Sequence, residues 1–188
     1  MPSADASDRT ADADREQRLA QLGRDLVEAA YLEGDFILSS GQHSNYYFDK
    51  YLFETRPQLL RQLAKALAEL VPPGVDRLAG TELGAVALAT ALSLETGLPF
   101  VIVRKGSKEY STAKTIEGEL YPGERILVVE DVITTGGQSI RAAERVQETG
   151  AGVVGILAVV DREQGGDKGI AAAGFNLISL FRKSDLGI

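Results

Sequence analysis

Short apolar runs and longer amphipathic stretches alternate along the chain. From Arg15 to Ala30, Leu19, Leu22, Leu26, Ala29 and Ala30 recur at helical spacing, which predicts a first helix. Phe36-Ile37-Leu38 leads through a Ser/Gly-rich turn into Tyr46-Tyr47-Phe48, the pattern of a β-hairpin. Leu59, Leu60, Leu63, Leu67 and Leu70 mark the buried face of a second helix, with Thr55 placed to cap it and Pro57 tolerated in its first turn. Pro72, Pro73 and Gly74 end that helix. A short strand over Arg77 to Ala79 then runs through Gly80-Thr-Glu-Leu-Gly84 into an Ala-rich helix reaching Leu94. Phe100 to Val103 is the next buried strand, and Glu117 to Gly123 reads as a hairpin turning at Pro122-Gly123.

Further along, Ile126 to Val129 is an apolar run short enough for a buried parallel strand. The helix Ser139 to Thr149 follows, with Ile140, Ala143 and Val146 inward. Then come the strand Val153 to Val160, a helix near Lys168 to Ala173, a strand Phe175 to Leu180 and a polar tail ending at Ile188. The alternation predicts an α/β domain with a mainly parallel sheet. No internal repeat, linker or second domain is visible, so 15–188 reads as one domain. Met1 to Asp14, acidic and rich in Ala, Ser and Asp, lacks the basic and apolar regions of a signal peptide and reads as a disordered tail.

Chemistry concentrates where the Ile126 strand ends. Glu130 and Asp131 follow it, then Val132, Ile133, Thr134, Thr135, Gly136, Gly137 and Gln138 before the helix. In open α/β sheets ligands bind outside the carboxyl ends of strands, and a glycine-bearing loop entering a helix offers unpaired N–H groups to an anion. A phosphate suits that loop. The acids could meet the two hydroxyls of a ribose or the water shell of a magnesium ion, which together make a phosphorylated ribose the expected ligand. By themselves, the same residues are also compatible with a plain strand end and turn.

Composition narrows the partners. The 188 residues, 44% of them hydrophobic, suffice for a single core, and 27 acids against 20 bases leave a net charge of −7. That balance disfavours nucleic acid, whose phosphates demand clustered positive charge. Against it stands Arg104-Lys-Gly-Ser-Lys-Glu-Tyr-Ser-Thr-Ala-Lys114, with four cations and one acid. Such a loop is either a solvated charged surface or a closure over a pyrophosphate leaving group. Cysteine is absent, which removes disulfides and Cys-based metal sites and suits the cytoplasm. His43 is the lone histidine, in a polar turn, and reads as solvated. No apolar run approaches the roughly 18 residues that span a bilayer.

Two further motifs need context. Gly150-Ala-Gly152-Val-Val-Gly155 matches the dinucleotide fingerprint in letters, but it follows a helix and precedes a strand, the reverse of what that fingerprint requires. Gly150 reads as a helix C-cap. Arg162 leaves the C-terminal end of the Val153 strand, on the edge of the phosphate loop, where a guanidinium grips a planar carboxylate or pairs with Asp161 or Glu163.

The stretch from Ile126 to Ser139 resembles the phosphoribosyl diphosphate signature of type I phosphoribosyltransferases. Ser40, Gly41 and Ser44, with Tyr47 and Phe48, resemble the Ser-Gly-x-x-Ser turn and aromatics in the hood of orotate phosphoribosyltransferases. Arg104, Lys105 and Lys108 match their catalytic loop, and Arg162 their base-binding arginine. Departures are Ser39 and Leu83, where many relatives carry lysine, and Tyr110-Ser111 in place of His-Gly. The resemblance implies the type I phosphoribosyltransferase fold, with a small N-terminal hood about 32–52 and a flexible basic hairpin loop about 104–118.

It also implies transfer of ribose 5-phosphate from phosphoribosyl diphosphate to orotate, with magnesium carried by the diphosphate and no direct side-chain metal ligand. Arg104, Lys108 and Asp131 would be catalytic. Arg104, Lys105, Lys108, Tyr110 and the run from Glu130 to Gln138 would bind the donor, and Thr134, Arg162, Tyr47 and Phe48 would bind orotate. A homodimer with shared sites, in the cytoplasm, is the family habit. A purine or uracil enzyme, or a non-catalytic regulator, shares parts of the pattern.

Overall fold

A computed structural model describes residues 4–37, 43–106 and 115–188. The chain opens with helix α1 (Ala4–Ala30), whose inward residues Leu22, Leu26, Ala29 and Ala30 are buried. The helix begins eleven residues before Arg15, so residues 4–14 of the segment expected to be disordered form its first turns. The physical reason is local: Ala4, Ala6, Ala11 and Ala13 carry the highest helix propensity, and extending an existing helix needs no new nucleus.

Strands β1 (Tyr31–Ile37) and β2 (His43–Phe48) pair antiparallel as a separate two-stranded sheet, the expected hairpin. Its turn, with Ser40 and Gly41, lies outside the described residues. Asp49 accepts a hydrogen bond from the Tyr51 N–H and so starts a one-turn helix, α2 (Lys50–Glu54). Thr55 closes α2 by donating its hydroxyl proton to the Tyr51 carbonyl, so it does not cap the next helix. That helix, α3 (Pro57–Ala68), begins on Pro57 itself.

The main sheet has six strands in the order β5-β4-β3-β6-β7-β8. They are β3 (Arg77–Thr81), β4 (Phe100–Val103), β5 (Ile116–Glu117), β6 (Arg125–Ile133), β7 (Gly152–Asp161) and β8 (Leu177–Arg182). All neighbours run parallel except β5, which returns antiparallel along β4. Helix α4 (Gly84–Thr96) connects β3 to β4; α5 (Gly137–Glu148) and α6 (Gly166–Ala172) connect β6 to β7 and β7 to β8. A final turn, α7 (Lys183–Leu186), replaces the expected polar tail.

Alternation along β6 sorts the core into two layers. Leu127 and Val129 pack with α1 to α4, whereas Ile126 and Val128 pack with α5 and α6. β6 runs to Ile133, four residues past the apolar run, because β7 keeps pairing with it as far as Asp161. Glu130 and Asp131 are therefore strand residues. Gly150, at φ +86, ends α5, and Gly152 starts β7, so the glycine triplet is a helix end followed by a strand. Among the described residues no helix is long and apolar enough to cross a membrane.

Candidate active site

The chain leaves β3 toward β4 on one side and β6 toward β7 on the other, so strand order reverses between β3 and β6. The crevice beyond their carboxyl ends is where such sheets bind ligands. Here β6 feeds the loop Thr134-Thr135-Gly136 and then α5. Gly136 holds φ +78, and a Cβ there would lie 2.9 Å from Ile170 Cγ1. Gly166 approaches from below, where a Cβ would come within 2.6 Å of the Thr134 carbonyl oxygen. The loop is thus clamped against α6, and the first residues of α5, whose N–H groups lack partners within the helix, line a cavity of about 470 Å³. Its wall includes Lys50, Asp131, Thr134, Gln138, Arg141 and Arg162. A larger groove of about 800 Å³ between α1 and β8 lacks a comparable loop and helix start.

The two acids face opposite ways, as neighbours on a strand must. Glu130, 3% exposed, turns toward α5, accepting hydrogen bonds from Thr81 Oγ1 at 2.8 Å and Ser139 Oγ at 3.0 Å. Burial and the charge of Asp131 push its carboxyl up to about 7. Asp131, 1% exposed, turns toward α2 and α4, where Lys50 Nζ lies 2.5 Å from Oδ2. Burial alone would lower the lysine's pKa, but the attraction of Asp131 more than reverses this and raises it.

Arg162 pairs with neither Asp161 nor Glu163. Its guanidinium donates to the Tyr46 hydroxyl at 2.9 Å and lies 5.5 Å from that ring's centre. Asp161 accepts the Glu163 N–H instead, and Glu163 takes the N–H and hydroxyl of Ser184. Burial raises the Tyr46 hydroxyl's pKa, but hydrogen bonds and charge from Arg162 and Lys183 outweigh that and lower it. Tyr47 and Phe48 both reach the cavity wall. Tyr47 is exposed and tilted against Phe36, whereas Phe48 is buried against Phe53.

The basic loop starts from a fixed root. Arg145 on α5 donates to the carbonyl oxygens of Arg104 and Lys105, the latter at 3.0 Å. The Lys105 N–H donates to Glu82 Oε2 at 3.0 Å, and Arg104 sits between Glu82 and Glu117 at 3.9 and 3.7 Å. Lys108 and Tyr110 lie outside the described residues. Leu83 is exposed beside a cis peptide bond, Glu82-Leu83. His43 lies 3.2 Å from Asp35 with both side chains largely in solvent.

Sequence reasoning missed Lys50, Glu54, Tyr46, Thr81, Ser139 and Arg145. Lys50 and Glu54, four apart on a short helix just after the hairpin, carried a signal in their spacing. For Thr81 and Ser139 no local pattern announces a carboxylate partner 49 or 9 residues away.

Residues 53–175 match the phosphoribosyl transferase domain family. An orotate phosphoribosyltransferase from Pyrococcus abyssi is 53% identical over 156 residues, 81% of this chain and 86% of that protein. One from Natronomonas pharaonis is 49% identical over 170 residues, 90% of this chain and 96% of the other. Among solved structures, the Mycobacterium tuberculosis orotate phosphoribosyltransferase in complex with 5-phospho-alpha-D-ribosyl 1-diphosphate superposes with a TM-score of 0.78 at 32% identity, covering 91% of this chain and 99% of that one.

Proposed function

We propose a division of labour within the site on one premise: the chain belongs to the phosphoribosyl transferase family and is an orotate phosphoribosyltransferase. It transfers ribose 5-phosphate from phosphoribosyl diphosphate to orotate in pyrimidine biosynthesis, releasing diphosphate. The observation that carries the assignment of parts is that the anion cradle and the Arg162 guanidinium open on one cavity.

The 5′-phosphate would sit on Thr134 to Gln138, where backbone dipoles are already oriented and need not reorganise. The ribose hydroxyls fall to the acids at the cavity floor. Both are engaged, Glu130 by Thr81 and Ser139 and Asp131 by Lys50 and the Val132 N–H; Asp131 is assigned to the ribose because its partner Lys50 itself lines the cavity. Arg162 would take the orotate carboxylate, with Tyr46 holding the guanidinium flat and the exposed face of Tyr47 alongside the base. As the C1′–diphosphate bond breaks, negative charge grows on the leaving group. Arg104, Lys105 and Lys108 would draw that charge off, with Tyr110 hydrogen-bonding the diphosphate. Orotate's ring can itself carry negative charge, so no strong general base is demanded.

The carboxylates at the cavity floor already have partners in Lys50, Thr81 and Ser139. These residues fit a magnesium ion held by the donor's own diphosphate, where it would neutralise leaving-group charge. By the same reading the enzyme works as a homodimer, the loop of one subunit reaching the other's site; a monomer on gel filtration at assay concentration overturns this.

The test is the ultraviolet loss of orotate with donor and magnesium, beside adenine, hypoxanthine and uracil. Orotate alone should be consumed rapidly. Lys108→Ala should depress turnover far more than orotate affinity; equal losses would make the loop a mere tether.

A further inference from the structure

Helix α2 delivers two side chains to Asp131 from one turn. Lys50 and Glu54 are four residues apart, and Lys50 Nζ sits 2.5 Å from Asp131 Oδ2. Glu54 comes to the same carboxylate from the other end of the turn. It is 3% exposed, and its buried Oε1 has no hydrogen-bond partner. The first residue of α4 is the space between them. A Cβ on Gly84 would fall 1.9 Å from Asp131 Oδ2 and 2.7 Å from Glu54 Oε1. Two carboxyl groups therefore face each other across a gap that only a glycine leaves open.

As two anions in a dry setting they would repel, and the unpartnered oxygen would carry a full desolvation penalty. A single proton removes both problems. With that proton, Glu54 becomes a donor to Asp131 on the side of Oδ2, the oxygen that Lys50 also binds, while Oδ1 accepts the Val132 N–H. We propose that Glu54 is a positioning residue: its protonated carboxyl donates a hydrogen bond to Asp131 and, with Lys50, aims that carboxylate at the sugar.

The inference rests on the reading that Asp131 meets the ribose. The charged groups facing Glu54 are Lys50 on its own helix and Asp131 and Glu130 on β6. Burial, then the charge of Asp131, push the Glu54 carboxyl up to about 8, with Lys50 pulling the other way. At neutral pH the proton is in place. Once it is lost, a second negative charge competes for Lys50 and turns Asp131 away from the donor.

The experiment is calorimetric titration of phosphoribosyl diphosphate into the intact enzyme and its variants from pH 6.5 to 9.5. The wild type should bind progressively more weakly above about pH 8. Glu54→Gln keeps an N–H donor at every pH, so it should bind within about threefold of the wild type at pH 7 and lose the alkaline fall. Glu54→Ala should bind about tenfold more weakly at pH 7, the size of one hydrogen bond to a charged group. An alkaline fall in Glu54→Gln parallel to the wild type's, or wild-type affinity in Glu54→Ala, overturns the proposal. If Glu54→Ala does not fold, the pH profile of Glu54→Gln decides alone. Asp131→Asn separates the layers: unchanged affinity there sinks the reading of the site, whereas weakened affinity beside unaffected Glu54 variants sinks only this inference.

Discussion

Arg162 is held in place by Tyr46, whose hydroxyl accepts its guanidinium proton at 2.9 Å across the boundary between the small hairpin and the main sheet. The guanidinium is thus positioned by an uncharged partner, which leaves its charge free for a carboxylate. Arg162→Ala should weaken orotate affinity by roughly 10- to 100-fold, the range for a charge-assisted hydrogen bond. Tyr46→Phe keeps the ring and loses the acceptor, so about a fivefold weakening is expected. The Michaelis constants for orotate and donor check both, and the donor's should move little.

Gly84→Ala should damage the site without touching any ligand. The added methyl would strike Asp131 Oδ2, which is pinned by Lys50 and cannot swing aside freely. A stability loss of about 1–3 kcal/mol is expected for such overpacking. Donor affinity should fall with it. Thermal unfolding and donor titration read the two effects.

Arg145 fastens the root of the basic loop through two backbone carbonyls. Arg145→Ala should lower turnover by about tenfold, because cations on a loosened loop meet the leaving group less often in the right geometry. Orotate affinity should stay within about twofold. Arg145→Lys should not restore turnover, since an ammonium lacks the fork that spans both oxygens. Steady-state kinetics of the two variants decide this.

Stability should fall as pH rises through neutrality. Glu54 and Glu130 have folded-state values near 8 and 7, above the ordinary 4.5, so the folded chain binds protons that the unfolded chain has already released. Their stabilisation is full below about pH 4.5 and is lost progressively up to about pH 8. At about 1.4 kcal/mol per pKa unit, the shift of Glu54 alone corresponds to a loss on the order of 5 kcal/mol. Glu54→Gln should match the wild type near pH 5 and exceed it in urea unfolding at pH 8.5.

Much of the architecture was legible because it is local. Leu59, Leu63 and Leu67 announce α3, and the apolar runs at 100–103, 126–129 and 153–160 announce three strands of the sheet. The strand-to-helix junction after β6 was legible for the same reason: two threonines and two glycines in adjacent positions mark a tight turn into α5. Boundaries were harder. Periodicity ended the central strand at Val129, and only pairing with β7 carries it to Ile133. Thr55 has the chemistry of a helix cap in either direction, and contact with Tyr51 chose the earlier helix.

The sequence by itself determined the α/β class, the glycine turn between β6 and α5 and the family, since each is written in contiguous residues. The tertiary structure decided what those residues do to one another. Strand alternation sends Glu130 toward Thr81 and Ser139 and Asp131 toward Lys50 and Glu54, although the two acids are adjacent in the chain. Long-range packing also gives Arg162 a tyrosine in place of the acids beside it. Charge partners separated by tens of residues meet only when the sheet assembles, and burial then sets which of them keeps its proton.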